Sequence, residues 1–127
     1  VARIRSVKPE MRKSLTVCAW PIPVRWTFVG LPGYLDDHGR GIDDPRLIKA
    51  ELYPLDDPMT PGKVDSHLVM IAERGPLCRY QLDGLRFIHI TSWTEHQKVA
   101  HPTKSKIPPC PKHEKGGAPP EGFVSGS

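Results

Sequence analysis

Leu77-Cys78-Arg79-Tyr80-Gln81-Leu82-Asp83-Gly84-Leu85-Arg86-Phe87-Ile88-His89-Ile90 is the stretch that decides the fold. Asp83-Gly84 is a dipeptide suited to a two-residue type I′ turn, in which both central residues need positive φ. Such a turn places Leu82 opposite Leu85, Tyr80 opposite Phe87 and Cys78 opposite His89, all on one face. The other face carries Leu77, Ile88 and Ile90 near the base and Arg79, Gln81 and Arg86 toward the tip. A hairpin with an apolar base and a basic tip suits contact with a polyanion. Its plainer alternative is an ordinary hairpin with solvated arginines.

Upstream lie three helical segments. The first begins at Pro21 to Pro23, where proline suits the opening turn. Val24, Phe28, Leu31 and Leu35 fall on one helical face, widened by Trp26 and Val29. Pro32-Gly33 interrupts this stripe and predicts a kink or a stop before Tyr34. Residues 36–41 read as a polar, glycine-punctuated loop. Asp44-Pro45 is a cap followed by a first-turn proline, and Leu47, Ile48 and Leu52 give a short helix ending near Tyr53-Pro54. Thr60-Pro61 repeats the signal. Val64, Leu68, Ile71 and Ala72 form its stripe, and Gly75-Pro76 closes it.

Helix, helix, helix and hairpin in this order are the plan of a winged helix-turn-helix. The expected class is α+β, mainly α: three helices plus a C-terminal β-hairpin wing, with a basic N-terminal arm and a Pro-rich C-terminal tail. The plan is used mostly to bind DNA. The expected division is an arm at 1–8, a winged-helix domain at 9–98 and a flexible tail at 99–127. The 15 prolines and 11 glycines are dense after Pro102, which confines the core to about residues 10–98.

Charge is segregated along the chain. The net charge is +4, yet residues 14–97 hold eight basic and eleven acidic residues. Residues 1–13 carry +4 and residues 98–127 carry +3. Basic arms around a mildly acidic body fit phosphate neutralisation with counterion release. Flexible termini that are simply polar are the bland alternative. Cys18, Cys78 and Cys110 are an odd count and read as reduced thiols. The charged N-terminus lacks an apolar leader, and no apolar run is long enough to span a bilayer. The expected setting is the cytoplasm of a bacterial host, without a membrane.

The residues expected to touch DNA follow from this layout. Arg3 and Arg5 sit at alternate positions in an extended arm, as in minor-groove arms, and Lys8 follows on the same arm. Lys63, Ser66 and His67 lie on the exposed side of the expected recognition helix, which Asp65 and Glu73 partly neutralise. Arg79 and Arg86 belong to the wing. Lys98, Lys104 and Lys106 would track phosphates without reading sequence.

Other chemistry is weaker. His96-x4-His101 and Cys110-x2-His113 resemble a zinc pairing, but the second half lacks the second cysteine of a knuckle. No metal or cofactor is expected. Asp36, Asp37, Asp43 and Asp44 are explained by turns and helix caps rather than a nuclease centre. Cys78 opposite His89 looks like a nucleophile–base pair, although a buried thiol beside a hairpin histidine is simpler. There is no Walker-type loop, Gly-x-Ser-x-Gly or His-Glu-x-x-His. An enzyme is not expected.

Residues 3–10 (RIRSVKPE), 28–31 (FVGL), 36–40 (DDHGR) and 48–54 (IKAELYP) resemble the N-terminal domain of phage replication-initiation (replisome-organiser-like) proteins, often of actinobacteriophages. The hairpin from Arg79 to Ile90, Trp93 and His96-Gln97-Lys98 add to the resemblance, which covers roughly residues 2–109. Pro32 departs from it, since such sequences usually carry a helix-compatible aromatic there. The resemblance implies a winged-helix fold and binding of double-stranded DNA, with phage or host replication proteins as further partners. A monomer or weak homodimer is expected. The alternatives are an adaptor for host replication or transcription proteins, and a phage transcriptional regulator.

Overall fold

The hairpin forms in the register that its turn dictates. In the computed structural model, which describes residues 4–113, β2 (Leu77–Leu82) pairs antiparallel with β3 (Leu85–Ile90). Cys78 faces His89, Tyr80 faces Phe87 and Leu82 faces Leu85. Asp83 and Gly84 take φ values of 52° and 78°, as a type I′ turn requires. A third strand, β1 (Arg40–Ile42), joins the free edge of β3 in the order β1-β3-β2. The polar loop expected at 36–41 therefore ends in a strand.

The helices precede and follow this sheet. They are α1 (Pro9–Lys13), α2 (Leu15–Cys18), α3 (Ile22–Tyr34), α4 (Pro45–Leu52), α5 (Pro61–Glu73) and α6 (Trp93–His96). The described residues thus make a mainly helical α+β fold. Caps form as their spacing suggests. Asp44 accepts the Arg46 amide at the start of α4, and the Thr60 hydroxyl accepts the Lys63 amide at the start of α5.

The inner face of the sheet builds the main core. Leu77, Ile88 and Ile90 pack with Phe28, Leu31, Ile48, Val64, Leu68 and Ile71 from α3, α4 and α5. Trp20 closes one end, edge-on to Phe28 at 5.4 Å between ring centroids. Trp93 closes another and donates its indole N–H to the Asp37 carbonyl at 2.7 Å. Gly39 passes beneath that indole with φ 76°, and a Cβ there would stand 2.7 Å from the ring.

Two expectations need correction. The early stop at Pro32 does not occur, because α3 runs on to Tyr34 with Pro32 inside it. The proline costs the helix one N–H donor and crowds the preceding turn, and the helix ends two residues later at Tyr34. Arg5 also caps that end: Nε donates to the Pro32 carbonyl (3.1 Å) and Nη2 to the Leu35 carbonyl (3.3 Å). Those groups would otherwise be orphan helix-end acceptors.

The flexible tail does not begin at residue 99. Ser105, Pro108 and Cys110 are buried. Cys110 and Ile107 pack on Cys78, Tyr80, Phe87 and Leu82, the outer face of the hairpin. The Tyr80 hydroxyl donates to the Pro108 carbonyl at 2.7 Å. The cause is apolar area: a face carrying Tyr80, Phe87 and Cys78 is too hydrophobic to leave in water. Residues 114–127 of the expected tail lie outside the described residues.

Candidate nucleic-acid interface and a thiol–imidazole cluster

α5 and the hairpin tip offer fewer cationic contacts than their sequences suggest. Lys63 and Ser66 are exposed on α5, as expected. Each is also tied to nearby backbone: Lys63 Nζ donates to the Pro58 carbonyl (2.9 Å), and Ser66 Oγ to the Lys63 carbonyl (2.7 Å). His67, expected beside them, points the other way and is buried. Its Nδ1 lies 2.8 Å from Thr27 Oγ1, which lies 2.6 Å from the Tyr53 hydroxyl. This polar triad joins α5, α3 and the end of α4 inside the core. Burial pushes the His67 pKa down from its ordinary value. His67 is therefore a core residue, turned inward because it lies three positions after Val64 on the buried stripe.

Arg79 is likewise not a free wing cation. Its Nε and Nη2 donate to the two oxygens of Asp43 at 2.8 and 3.0 Å, and Nη2 also reaches Asp65 Oδ1 at 2.6 Å. Asp43 is buried. The hydrogen bonds that Arg79 donates to Asp43, and then to Asp65, raise its pKa against the cost of burial. Arg86 remains half exposed and touches Asp43 only at 3.5 Å. Of the two wing arginines, Arg86 is the one presented to solvent. The partners of Arg79 are 36 and 14 residues away, a separation with no local signature in the sequence.

The N-terminal arm is docked rather than extended into solvent. Besides capping α3, Arg5 pairs with Asp37 Oδ1 at 3.0 Å and stacks 5.1 Å over the Trp93 ring. Only 9 % of its side chain is exposed, which removes it as a minor-groove contact. Ser6 and Gln97 exchange two hydrogen bonds, of 2.8 and 2.7 Å. Lys8 is exposed, with Nζ on the Glu95 carbonyl. Arg3 lies outside the described residues. Asp37 also accepts the Thr103 amide (2.9 Å) and hydroxyl (3.0 Å), so one carboxylate links arm, body and C-terminal segment.

Lys98, Lys104 and Lys106 are exposed. Lys104 and Lys106 line a cleft with Tyr34, Leu47 and Glu51. They belong to the segment that covers the outer face of the sheet, whereas α5 packs on the inner face. The structure thus divides the predicted cations between two layers.

A separate cluster sits under the C-terminal segment. The Cys110 and Cys78 sulfurs are 3.4 Å apart, and Cys110 Sγ is 3.3 Å from His113 Nδ1. The ligand atoms of all three residues lie within 4.8 Å of one another. Cys78 and Cys110 are buried and His113 is exposed. Burial pushes the Cys78 thiol up to about 11. His89, opposite Cys78 on the hairpin, has its ring centroid 6.1 Å from that of His113. A cleft of about 680 Å³ opens alongside, lined by His38, His89, Trp93, Gln97, Lys98 and His113 among others. The second cysteine that Cys110-x2-His113 lacks locally is supplied by the hairpin, 32 residues upstream.

On the opposite side, Ile22, Pro23, Trp26, Tyr53, Met59 and Lys63 line an apolar groove of about 550 Å³. Ile22 is 68 % exposed and Trp26 55 %. Among the described residues no helix is long and apolar enough to cross a membrane. No known family model, no curated protein and no solved structure matches the chain.

Proposed function

We propose that this chain is a winged-helix protein that binds double-stranded DNA, in the replication initiation of a phage or prophage. The observation that carries the reading is the order α3-β1-α4-α5-β2-β3 with the sheet β1-β3-β2. In this reading α5 is the recognition helix and the β2–β3 hairpin is the wing. The replication role rests on the family resemblance of the sequence. An operator-binding regulator would use the same protein surfaces at a different site.

The contact set is narrower than the sequence alone suggests. Lys63, Ser66 and Arg86 are the exposed candidates on α5 and the wing. Lys8, Lys98, Lys104 and Lys106 are exposed on the arm and C-terminal segment. With few cations on α5, backbone neutralisation dominates affinity and base contacts are few. The test is fluorescence anisotropy with random duplex and tiled fragments of the source genome, from low to moderate salt. Tight binding to one tile supports a site-specific reader. No binding at the lowest salt removes DNA as the partner.

A second reading is favoured by the groove at Ile22, Trp26 and Met59. Exposed aromatic and aliphatic side chains around a concavity suit a protein partner better than phosphate. In this reading the chain is an adaptor for replication or transcription proteins. Capture of one partner from nuclease-treated host lysate, lost on Trp26→Ala, supports it over DNA binding.

A further inference from the structure

We propose that Cys78, Cys110 and His113 bind a zinc ion that fastens the C-terminal segment to the outer face of the hairpin. The inference goes beyond the DNA-binding reading and does not depend on it.

The argument starts from spacing. In a tetrahedral zinc site with Zn–S near 2.3 Å and Zn–N near 2.0 Å, neighbouring ligand atoms stand roughly 3.5–3.8 Å apart. The observed separations are 3.4 Å for Cys110 Sγ to Cys78 Sγ and 3.3 Å for Cys110 Sγ to His113 Nδ1. A disulfide would bring the sulfurs to about 2.05 Å. Cys110 therefore stands close to ligand distance from both Cys78 and His113, and the third side of the triangle is within 4.8 Å, although Cys78 and Cys110 are 32 residues apart in sequence. Small rotations of the side chains open the triangle to the size a zinc ion needs.

Donor chemistry fits the same ion. Two thiolates and one neutral imidazole make a soft, doubly anionic set that favours zinc over calcium or magnesium, which take oxygen ligands. His89 faces the cluster from β3: it is the cross-strand neighbour of Cys78, and its ring stands beside that of His113. The three ligand atoms that lie within 4.8 Å of one another are those of Cys78, Cys110 and His113, so water would fill the fourth position with His89 beside it. The cleft lined by His89 and His113 gives the ion a path from solvent.

The site also has a mechanical reason. The C-terminal segment from Ser105 to His113 holds no helix or strand. Its hold on the hairpin rests on Ile107, Pro108 and Cys110 together with a few hydrogen bonds. A metal bridging β2 to this segment would join its end to the sheet covalently. Binding energy at such a site becomes energy of docking.

The test uses the full chain, purified under reducing conditions and titrated with Zn²⁺ or Co²⁺ alone. The expected result is one equivalent of zinc, with Co²⁺ giving the strong visible bands of a tetrahedral centre and a thiolate charge-transfer band. Cys78→Ser and Cys110→Ser should each abolish these bands. Cys18→Ser, which removes the exposed third thiol, should leave them intact. Buried Cys110→Ser could unfold the segment, so exposed His113→Asn provides an independent arm. It should weaken zinc affinity at least tenfold with an unchanged far-UV spectrum. Zinc should also raise Tm in the parent and not in His113→Asn. The proposal is overturned by no stoichiometric zinc in the folded, reduced parent. It is equally overturned by metal binding that survives His113→Asn and Cys110→Ser, or by a Cys78–Cys110 disulfide that forms in the presence of zinc.

Discussion

Arg79 closes both oxygens of Asp43 in a bidentate pair, with Nε and Nη2 at 2.8 and 3.0 Å, on the face where the hairpin meets the start of α4. Asp43 follows β1, and its backbone N–H donates to the Arg86 carbonyl on β3 (3.0 Å). The pair therefore locks the edge strand, the hairpin and, through Asp65, helix α5 into one unit. A cation that the sequence suggests for DNA contact instead holds the edge strand, the hairpin and α5 together.

Arg79→Ala should consequently act on stability before it acts on DNA. It leaves the buried Asp43 carboxylate without its main partner, and breaking such a pair costs roughly 3 kcal/mol. Arg86, at 3.5 Å, recovers part of that. The expected outcome in urea is a lower midpoint with an unchanged slope. A midpoint equal to that of the parent would show that the pair contributes nothing net. Arg79→Met, which removes the charge and keeps the stem, should lie between the two only if packing of the stem matters.

Lys63→Ala combined with Arg86→Ala should weaken binding to any duplex while leaving the fold intact, since both side chains are exposed. If each meets one phosphate, the slope of log K against log salt should fall by roughly 2. Anisotropy at several salt concentrations measures both quantities. Unchanged affinity and slope would take α5 and the wing out of the binding mechanism.

Gly39→Ala should be destabilising by about 2 kcal/mol. The φ of 76° is unfavourable for a residue with a side chain, and the new Cβ would stand 2.7 Å from the Trp93 ring. The ring is fixed by its hydrogen bond to the Asp37 carbonyl, so it has little room to move. Thermal unfolding with tryptophan fluorescence reads both the loss of stability and the displaced indole.

The parts of this fold that were legible in the sequence are the ones set by local chemistry. Asp83-Gly84 specified its turn, and the turn specified every cross-strand pair of the hairpin. Asp44-Pro45 and Thr60-Pro61 marked two helix starts through caps that can be read within four residues. What stayed hidden depends on partners distant in the chain. Three-residue β1 is a strand only because β3 offers an edge. Pro32 fits a helix end that Arg5 caps from 27 residues away. The candidate site suffered most, because arginine and histidine serve equally well in solvent, in an ion pair and in a core. Arg5, Arg79 and His67 each found buried partners, whereas Lys63, Ser66 and Arg86 stayed at the surface as expected. The Cys78–Cys110 approach needed the course of a segment without periodicity.

His67 should make stability sensitive to mild acid. Burial depresses its folded-state pKa below the ordinary 6.5. The unfolded chain then binds the proton more readily than the folded one. Stability from this group is complete above about pH 6.5 and declines as pH falls through and below the unfolded pKa. His67→Gln, which keeps a polar atom near Thr27 without titrating, should flatten that decline. Urea midpoints at pH 7.5, 6.5 and 5.5 for parent and variant provide the check. Parallel declines would mean that other groups account for the acid sensitivity.

Removal of the C-terminal segment should expose the outer face of the hairpin. A chain ending at residue 102 loses Ile107, Pro108 and Cys110 from above Tyr80 and Phe87, along with the Tyr80 bond to the Pro108 carbonyl. It also loses the two hydrogen bonds from Thr103 to Asp37, although Arg5 still holds that carboxylate. The main core lies on the other side of the sheet, so the helices should stay folded. The expected signature is strong binding of a hydrophobic dye and self-association, with a far-UV spectrum close to that of a chain ending at His113. Both chains are compared with a chelator present, which confines the difference to packing. Equal dye binding would mean that Tyr80 and Phe87 are covered without the segment, and its docking would then contribute little to the fold.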